Sequence, residues 1–272
     1  MSNVVSTHGA GLDEVLYEIE DDHIALITLN APERMNTISG PMLNALTRLL
    51  VKANEDPAVR CVILTGVGRA FCAGLDLRQE RDGGGISSAA SPTNLDLRNT
   101  PPTVMFDMDK PIICAVNGGA AGYGMDTALG CDIRIMAESA KMAAAFVKRG
   151  VVPESGGTWF LPRMIGWAKA SELIFTGRTL SARECLEWGL ANEVVSDSEL
   201  MGRARALARE IAANAPLAVQ AAKRMMRMGL NETFKDHVHH VYLQLLPLFR
   251  SDDMKEGVRA FMEKREPKFS GK

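Results

Sequence analysis

The chain has 272 residues, 46% of them hydrophobic and 24% charged, with a formal net charge of -2 and an isoelectric point near 6.2. It can bury a sizeable core in one or two domains, and without a broad basic field or a run of Lys and Arg it offers nothing to a phosphate backbone. No apolar window is long enough to span a bilayer, and "MSNVVSTHGAGLDE" lacks the charged and then apolar regions of a signal peptide, so a cytoplasmic protein is expected.

In chain order, "VLYEIE" and "IALITLN" flank the Asp21-Asp22 pair and read as a hairpin. "ISGPMLNALTRLLVKANED" carries apolar residues at helical spacing, with Ser39 as the candidate N-cap. "VRCVILTG", "KPIICAVNG" and "CDIRIMA" are apolar, β-branched runs, as expected of strands buried on both faces. From Arg78 to Thr103, Gly, Ser, Pro and Asn replace the periodic apolar residues, which reads as a mobile surface insertion able to serve as a lid. From Ala168 onward the pattern becomes nearly all helical, including "DSELMGRARALAREIAAN", "PLAVQAAKRMMRMG" and "DDMKEGVRAFMEKREP". Strands interleaved with helices argue for an α/β chain, here with a core over 1–195 and a helical region over 196–272.

The five cysteines, Cys61, Cys72, Cys114, Cys131 and Cys185, are odd in number and never form a C-x-x-C pair, so reduced, mostly buried thiols are expected. His237, His239 and His240 turn different ways on a helical stretch and read as a partly exposed polar face rather than a metal site. No metal and no separate cofactor is expected.

Two glycine-marked turns follow buried strands: "GRAFCAGLDL" after "VILTGV", and "NGGAAGYGMD" after "IICAV". Glycine permits tight turns whose amide N–H groups stay open to a ligand, and two such turns can converge on one oxygen. Either turn alone could be an ordinary strand-to-helix corner. The glycines at 119, 122 and 124 do not follow G-x-G-x-x-G, and neither turn contains the Gly-Lys-Ser/Thr of a P-loop.

Across nearly its whole length the chain resembles the enoyl-CoA hydratase/isomerase family, the crotonase superfamily. The resemblance runs through "PERMNTIS", "GRAFCAGLDL", "KPIICAVNGGAAGYGMDTALGCDIRIMAESAKM", "PESGGTWFLPR", "TGRTLSARECLEWGLANEVV" and "FMEKREPKF", in order. It implies a crotonase-like spiral of ββα units, a helical C-terminal region that drives trimerisation, a homotrimer or homohexamer, and an acyl-CoA thioester substrate whose coenzyme A arrives with it. It also implies an oxyanion hole made by the amides of Leu75 and Tyr123. Two preorganised N–H groups would stabilise the charge that a thioester oxygen gains when its α-carbon is deprotonated. Arg34, Met35, Ala73, Asp76 and Leu77 correspond to the coenzyme A contacts. Arg34, Arg69 and Arg78 are candidate phosphate partners, as are Phe261 and Lys264 of the same or a neighbouring subunit.

The acids bear on the reaction. The resemblance implies that hydratases of the family carry two glutamates, at the positions of Asp126 and Phe146; here the first is shortened and the second is absent. Glu154, in "VVPESGG", matches the position where enoyl-CoA isomerases carry their base. Its neighbours Val151, Val152, Pro153 and Trp159 suggest desolvation, which strengthens a base, although an acid here could also merely cap the following helix. Three readings follow: a Δ3-to-Δ2 enoyl-CoA isomerase with Glu154 as base and Phe146 in the acyl pocket, a hydratase in which Asp126 and Glu154 share the work, or a CoA-binding member without catalysis.

Overall fold

A computed structural model describes residues 14–20, 22–76 and 100–272. Leu77, Arg78 and most of the 78–103 segment lie outside the described residues. Strands β1 (Val15–Glu20) and β2 (Ile24–Leu29) form the expected antiparallel hairpin. Helix α1 (Gly40–Glu55) starts where Ser39 Oγ accepts from the Met42 amide at 3.1 Å, and it buries Met42, Leu46, Leu49 and Leu50 along one face.

The strands then alternate between two sheets. β3 (Cys61–Gly66), β5 (Ile112–Val116) and β7 (Ile133–Ala137) extend the hairpin in parallel. β10 (Glu193–Val195) completes that sheet in the order β1-β2-β3-β5-β7-β10. β4 (Ala70–Cys72), β6 (Gly119–Ala121), β8 (Lys141–Ala143) and β9 (Thr179–Ser181) form the second sheet. Every residue of β5 is buried, as its unbroken apolar run requires of a strand covered on both faces. Sending successive strands to different sheets, with a helix after each pair, makes the crotonase-like ββα spiral, and its core lies between the sheets around Ile27, Leu64, Phe71 and Ile113.

The helices are α2 (Pro101–Asp107), α3 (Tyr123–Gly130), α4 (Gly157–Thr176) and α5 (Ala182–Trp188), then α6 (Leu200–Ala212), α7 (Pro216–Gly229), α8 (Phe234–Leu248) and α9 (Asp252–Glu263). Two expectations need correction. The end of the 78–103 segment is not irregular: Pro101 and Pro102 open α2 and are buried, since proline fits the first helical turn, where no N–H is needed. The chain beyond Ala168, expected to be nearly all helical, is interrupted by β9 and β10, three-residue strands too short to leave a period in the sequence. All five cysteines are reduced and buried. His237 and His240 share one carboxylate, with Nδ1 atoms 3.1 and 2.9 Å from Glu232, and no metal-binding cluster occurs among the described residues. Nor, among them, is any helix long and apolar enough to cross a membrane.

Candidate active site

The two glycine turns meet because β4 and β6 are neighbours in the second sheet. Gly74 has φ +108° and Gly122 φ +53°, conformations that L-side chains avoid. A Cβ at Gly74 would lie 2.9 Å from the Ala121 carbonyl oxygen and 3.8 Å from the Tyr123 amide nitrogen, so the turns touch backbone to backbone. Ile38 clamps the first turn: its N–H donates to Gly74 O at 2.8 Å and its carbonyl accepts from the Asp76 amide at 3.0 Å, leaving Leu75 between them. Tyr123 opens α3, where first-turn amides have no helical acceptor. Among the described residues neither the Leu75 nor the Tyr123 amide donates to a protein acceptor. Tyr123 is buried in the hydrophobic core and Leu75 packs against it half-buried, and both residues line the cavity.

The turns line a cavity of about 530 Å³, together with Arg34 and Met35, Arg69, Ala73, Asp76, Phe146 and Glu154. Sequence reasoning missed Arg149, a further cation on this wall. It also missed Asn36, which does not line the cavity but shapes its rim. Fully buried at φ +54°, Asn36 accepts from the Ala31 amide at 2.7 Å and donates to Val67 O and Ala70 O at 3.0 and 2.8 Å, pinning the loop that carries Arg34 and Met35 to β4. The only signal in the sequence was an asparagine, a turn-favouring residue, at the end of "PERMN". Arg34 already pairs with Glu14 at 2.8 Å.

Glu154 opens onto the cavity and is exposed as a residue, with its carboxyl only partly shielded; that partial desolvation raises its pKa. Of the neighbours expected to desolvate it, Val151 and Val152 are exposed, Trp159 is half-buried and Pro153 is buried. The Phe146 ring is buried against Gly122.

Asp126 does not line the cavity. It is fully buried behind Glu154, where its Oδ2 accepts from the amides of Ser155 at 3.3 Å and Gly157 at 3.1 Å. Its Oδ1 has no partner among the described residues and faces Gly157, where a Cβ would lie 2.4 Å away. Burial pushes its pKa up to about 7, with the Glu154 charge adding to the shift and the Gly157 and Ser155 amides opposing it. Phe261 and Lys264 lie away from the cavity of their own protomer, and the Phe261 side chain is 85% exposed.

Among the described residues, two turns whose Leu75 and Tyr123 amides have no protein acceptor, the Glu154 carboxylate and the cations Arg34, Arg69 and Arg149 share one cavity wall on the ββα spiral. The enoyl-CoA hydratase/isomerase family model matches residues 20–272. The chain is 39% identical over 252 residues to 1,2-epoxyphenylacetyl-CoA isomerase of Escherichia coli K12, covering 92% of this chain and 95% of that one. It is 37% identical over 267 residues to carnitinyl-CoA dehydratase of Salmonella paratyphi A, covering 96% and 100%. The crystal structure of an enoyl-CoA hydratase from Bacillus anthracis superposes with a TM-score of 0.88 at 35% identity, over 95% of this chain and 100% of that one. The chain belongs to the enoyl-CoA hydratase/isomerase family, whose members act on acyl-CoA thioesters.

Proposed function

We propose that the protein isomerises 3-enoyl-CoA thioesters to their 2-enoyl isomers. The amides of Leu75 and Tyr123 hold the thioester oxygen, and Glu154 takes a proton from C2. The electron pair left behind is held as an enolate while the double bond shifts from C3–C4 to C2–C3, and Glu154 then returns its proton at C4. Protons and electrons balance with one carboxylate and no added cofactor.

The observation that carries this reading is the division of the acids. Glu154 faces the cavity with a raised pKa, whereas Asp126 is sealed behind it, holding the backbone of the Glu154 turn. Hydration needs a second group that reaches the substrate, to orient water against the β-carbon while a proton goes to C2. In the alternative, hydratase reading that group would be Asp126, which would have to leave its two amide donors. The similarity to a dehydratase keeps that reading open, and a CoA-binding member without catalysis is the third.

Arg34, Arg69 and Arg149, with Met35, Ala73 and Asp76, form the wall suited to the coenzyme A moiety. The C-terminal helices expose Met226, Phe234, Tyr242, Phe249, Phe261 and Met262, an apolar surface that supports a homotrimer or a dimer of trimers, through which Phe261 and Lys264 would approach a neighbour's cavity.

Glu154→Gln tests the central assignment, because it keeps size and polarity but cannot accept the proton. Isomerisation kcat should fall by at least ~100-fold, the low end of what a positioned base contributes, while thioester binding changes little. A kcat within a few-fold of wild type would reduce Glu154 to a helix-start residue, and wild-type protein that hydrates a 2-enoyl-CoA faster than it isomerises a 3-enoyl-CoA would favour the hydratase.

A further inference from the structure

Glu154 also belongs to the wall of a second cavity, of about 320 Å³, lined by Pro102 and Phe106 of α2, by Ser155, and by Trp159 and Phe160 of α4. Its three rings interlock. Trp159 lies 5.3 Å from Phe106 at 82° and 5.1 Å from Phe160 at 89°, and Phe106 lies 6.4 Å from Phe160 at 60°. Edge-to-face contacts of this kind are the favoured ones for aromatic quadrupoles.

Two arginines brace the rings. The Arg163 guanidinium stacks 4.1 Å over Trp159 and donates to the Trp159 carbonyl at 3.1 Å. Arg227 lies 5.9 Å from the Phe106 ring, donates to Phe106 O at 2.8 Å and Met108 O at 3.2 Å, and pairs with Asp109 at 3.2 Å. The aromatic wall is therefore held in shape before any ligand arrives, which lowers the ordering cost of binding.

We propose that this second cavity receives the distal end of the acyl group and selects acyl chains that end in an aromatic ring. The inference rests on the reading that Glu154 works at C2 and C4. With the thioester carbonyl at the Leu75 and Tyr123 amides and C2 to C4 beside Glu154, the atoms beyond C4 pass Glu154 into the space that shares it. A protein cavity of ~150 Å³ accepts benzene, so this one has room for an aryl group and a short linker. A flexible alkyl tail gains only from burial and loses more rotamer freedom, whereas a ring also gains oriented contacts with three others.

Binding of two unreactive saturated thioesters of equal carbon number, 4-phenylbutanoyl-CoA and decanoyl-CoA, tests this by calorimetry. The aryl thioester should bind about tenfold tighter, the ratio that one good ring pair supplies. In Phe106→Leu and Trp159→Leu that ratio should fall to about one or two; a ratio near one in the wild type, or one retained in both variants, overturns the proposal. Because the ratio is taken within each protein, partial unfolding of one variant cancels, and a melt for each identifies it. Neither thioester needs a base, so the same pair measured on Glu154→Gln separates the two readings. Aryl preference there beside absent wild-type isomerisation removes the isomerase and, with it, the placement of C4. Isomerisation without aryl preference removes only the acyl subsite.

Discussion

Replacing Asp126 by Asn tests the seclusion of that carboxyl through the pH dependence of stability. The folded-state pKa of Asp126 is about 7, against ~3.9 in an unfolded chain. Between those values the native protein holds a proton that the unfolded chain has released. Asp126 therefore favours the native state least at high pH: stability falls as pH rises through this window and levels off above about 7. At 1.36 kcal/mol per unit, a shift of roughly three units costs about 4 kcal/mol in full, of which about 2–3 kcal/mol is lost between pH 5 and pH 8.

Asn keeps one oxygen for the Ser155 and Gly157 amides and abolishes the titration. Its NH₂ meets no acceptor in place of the unpartnered Oδ1, which lowers stability by a pH-independent amount of about 1–3 kcal/mol. The assay is urea unfolding of both proteins at fixed concentration from pH 5 to pH 8. Wild type should lose about 2–3 kcal/mol more than Asp126→Asn over that range, so the difference between the two curves moves in the variant's favour as pH rises. Parallel curves would mean that Asp126 titrates normally and that the burial argument is wrong. Titrating groups distant from Asp126 are common to both proteins and drop out of the difference, whereas Glu154, whose charge couples to Asp126, contributes to it.

The pH profile of kcat/KM should show an acid limb above the ordinary glutamate range, because burial raises the Glu154 pKa and the base works only when ionised; a limb at the ordinary value would refute the desolvation. Gly74→Pro, whose ring fixes φ near -65° where the turn needs +108°, should cost activity on the order of 10²-fold, comparable to loss of one oxyanion donor. A folded, fully active Gly74→Pro protein would remove the Leu75 amide from the site. Phe146→Glu should raise the hydration-to-isomerisation ratio above that of wild type and of Phe146→Ala, since only the glutamate restores a proton acceptor; an unchanged ratio in the folded variant would favour hydration by Asp126 and Glu154. Asn36→Ala should lower stability by about 1–3 kcal/mol and raise KM for the CoA thioester more than it lowers kcat, because the Arg34–Met35 loop loses its anchor; an unaltered KM would leave Asn36 a purely structural residue.

Much of the architecture is legible because it depends on neighbours in the sequence. The period of α1 and its Ser39 cap, the hairpin, the apolar runs of β3 and β5 and the glycines at 74 and 122 all express local requirements for burial or a backbone conformation. The acid pattern, with Phe146 at the position of the family's second glutamate and Glu154 retained, is legible only through the family resemblance. Local spacing does not say that β4 and β6 lie side by side, which alone brings the Leu75 and Tyr123 amides together. Nor does it tell Asp126, sealed behind a turn 29 residues ahead, from Glu154 at the cavity wall, since burial of a short acid follows from what packs over it. Phe106 joins Trp159 and Phe160 in the same way, through the seating of α2 against α4. Side-chain period and turn chemistry are decided within a few residues, whereas which groups share a cavity is decided by strand order and helix packing, contacts between segments that no local pattern encodes.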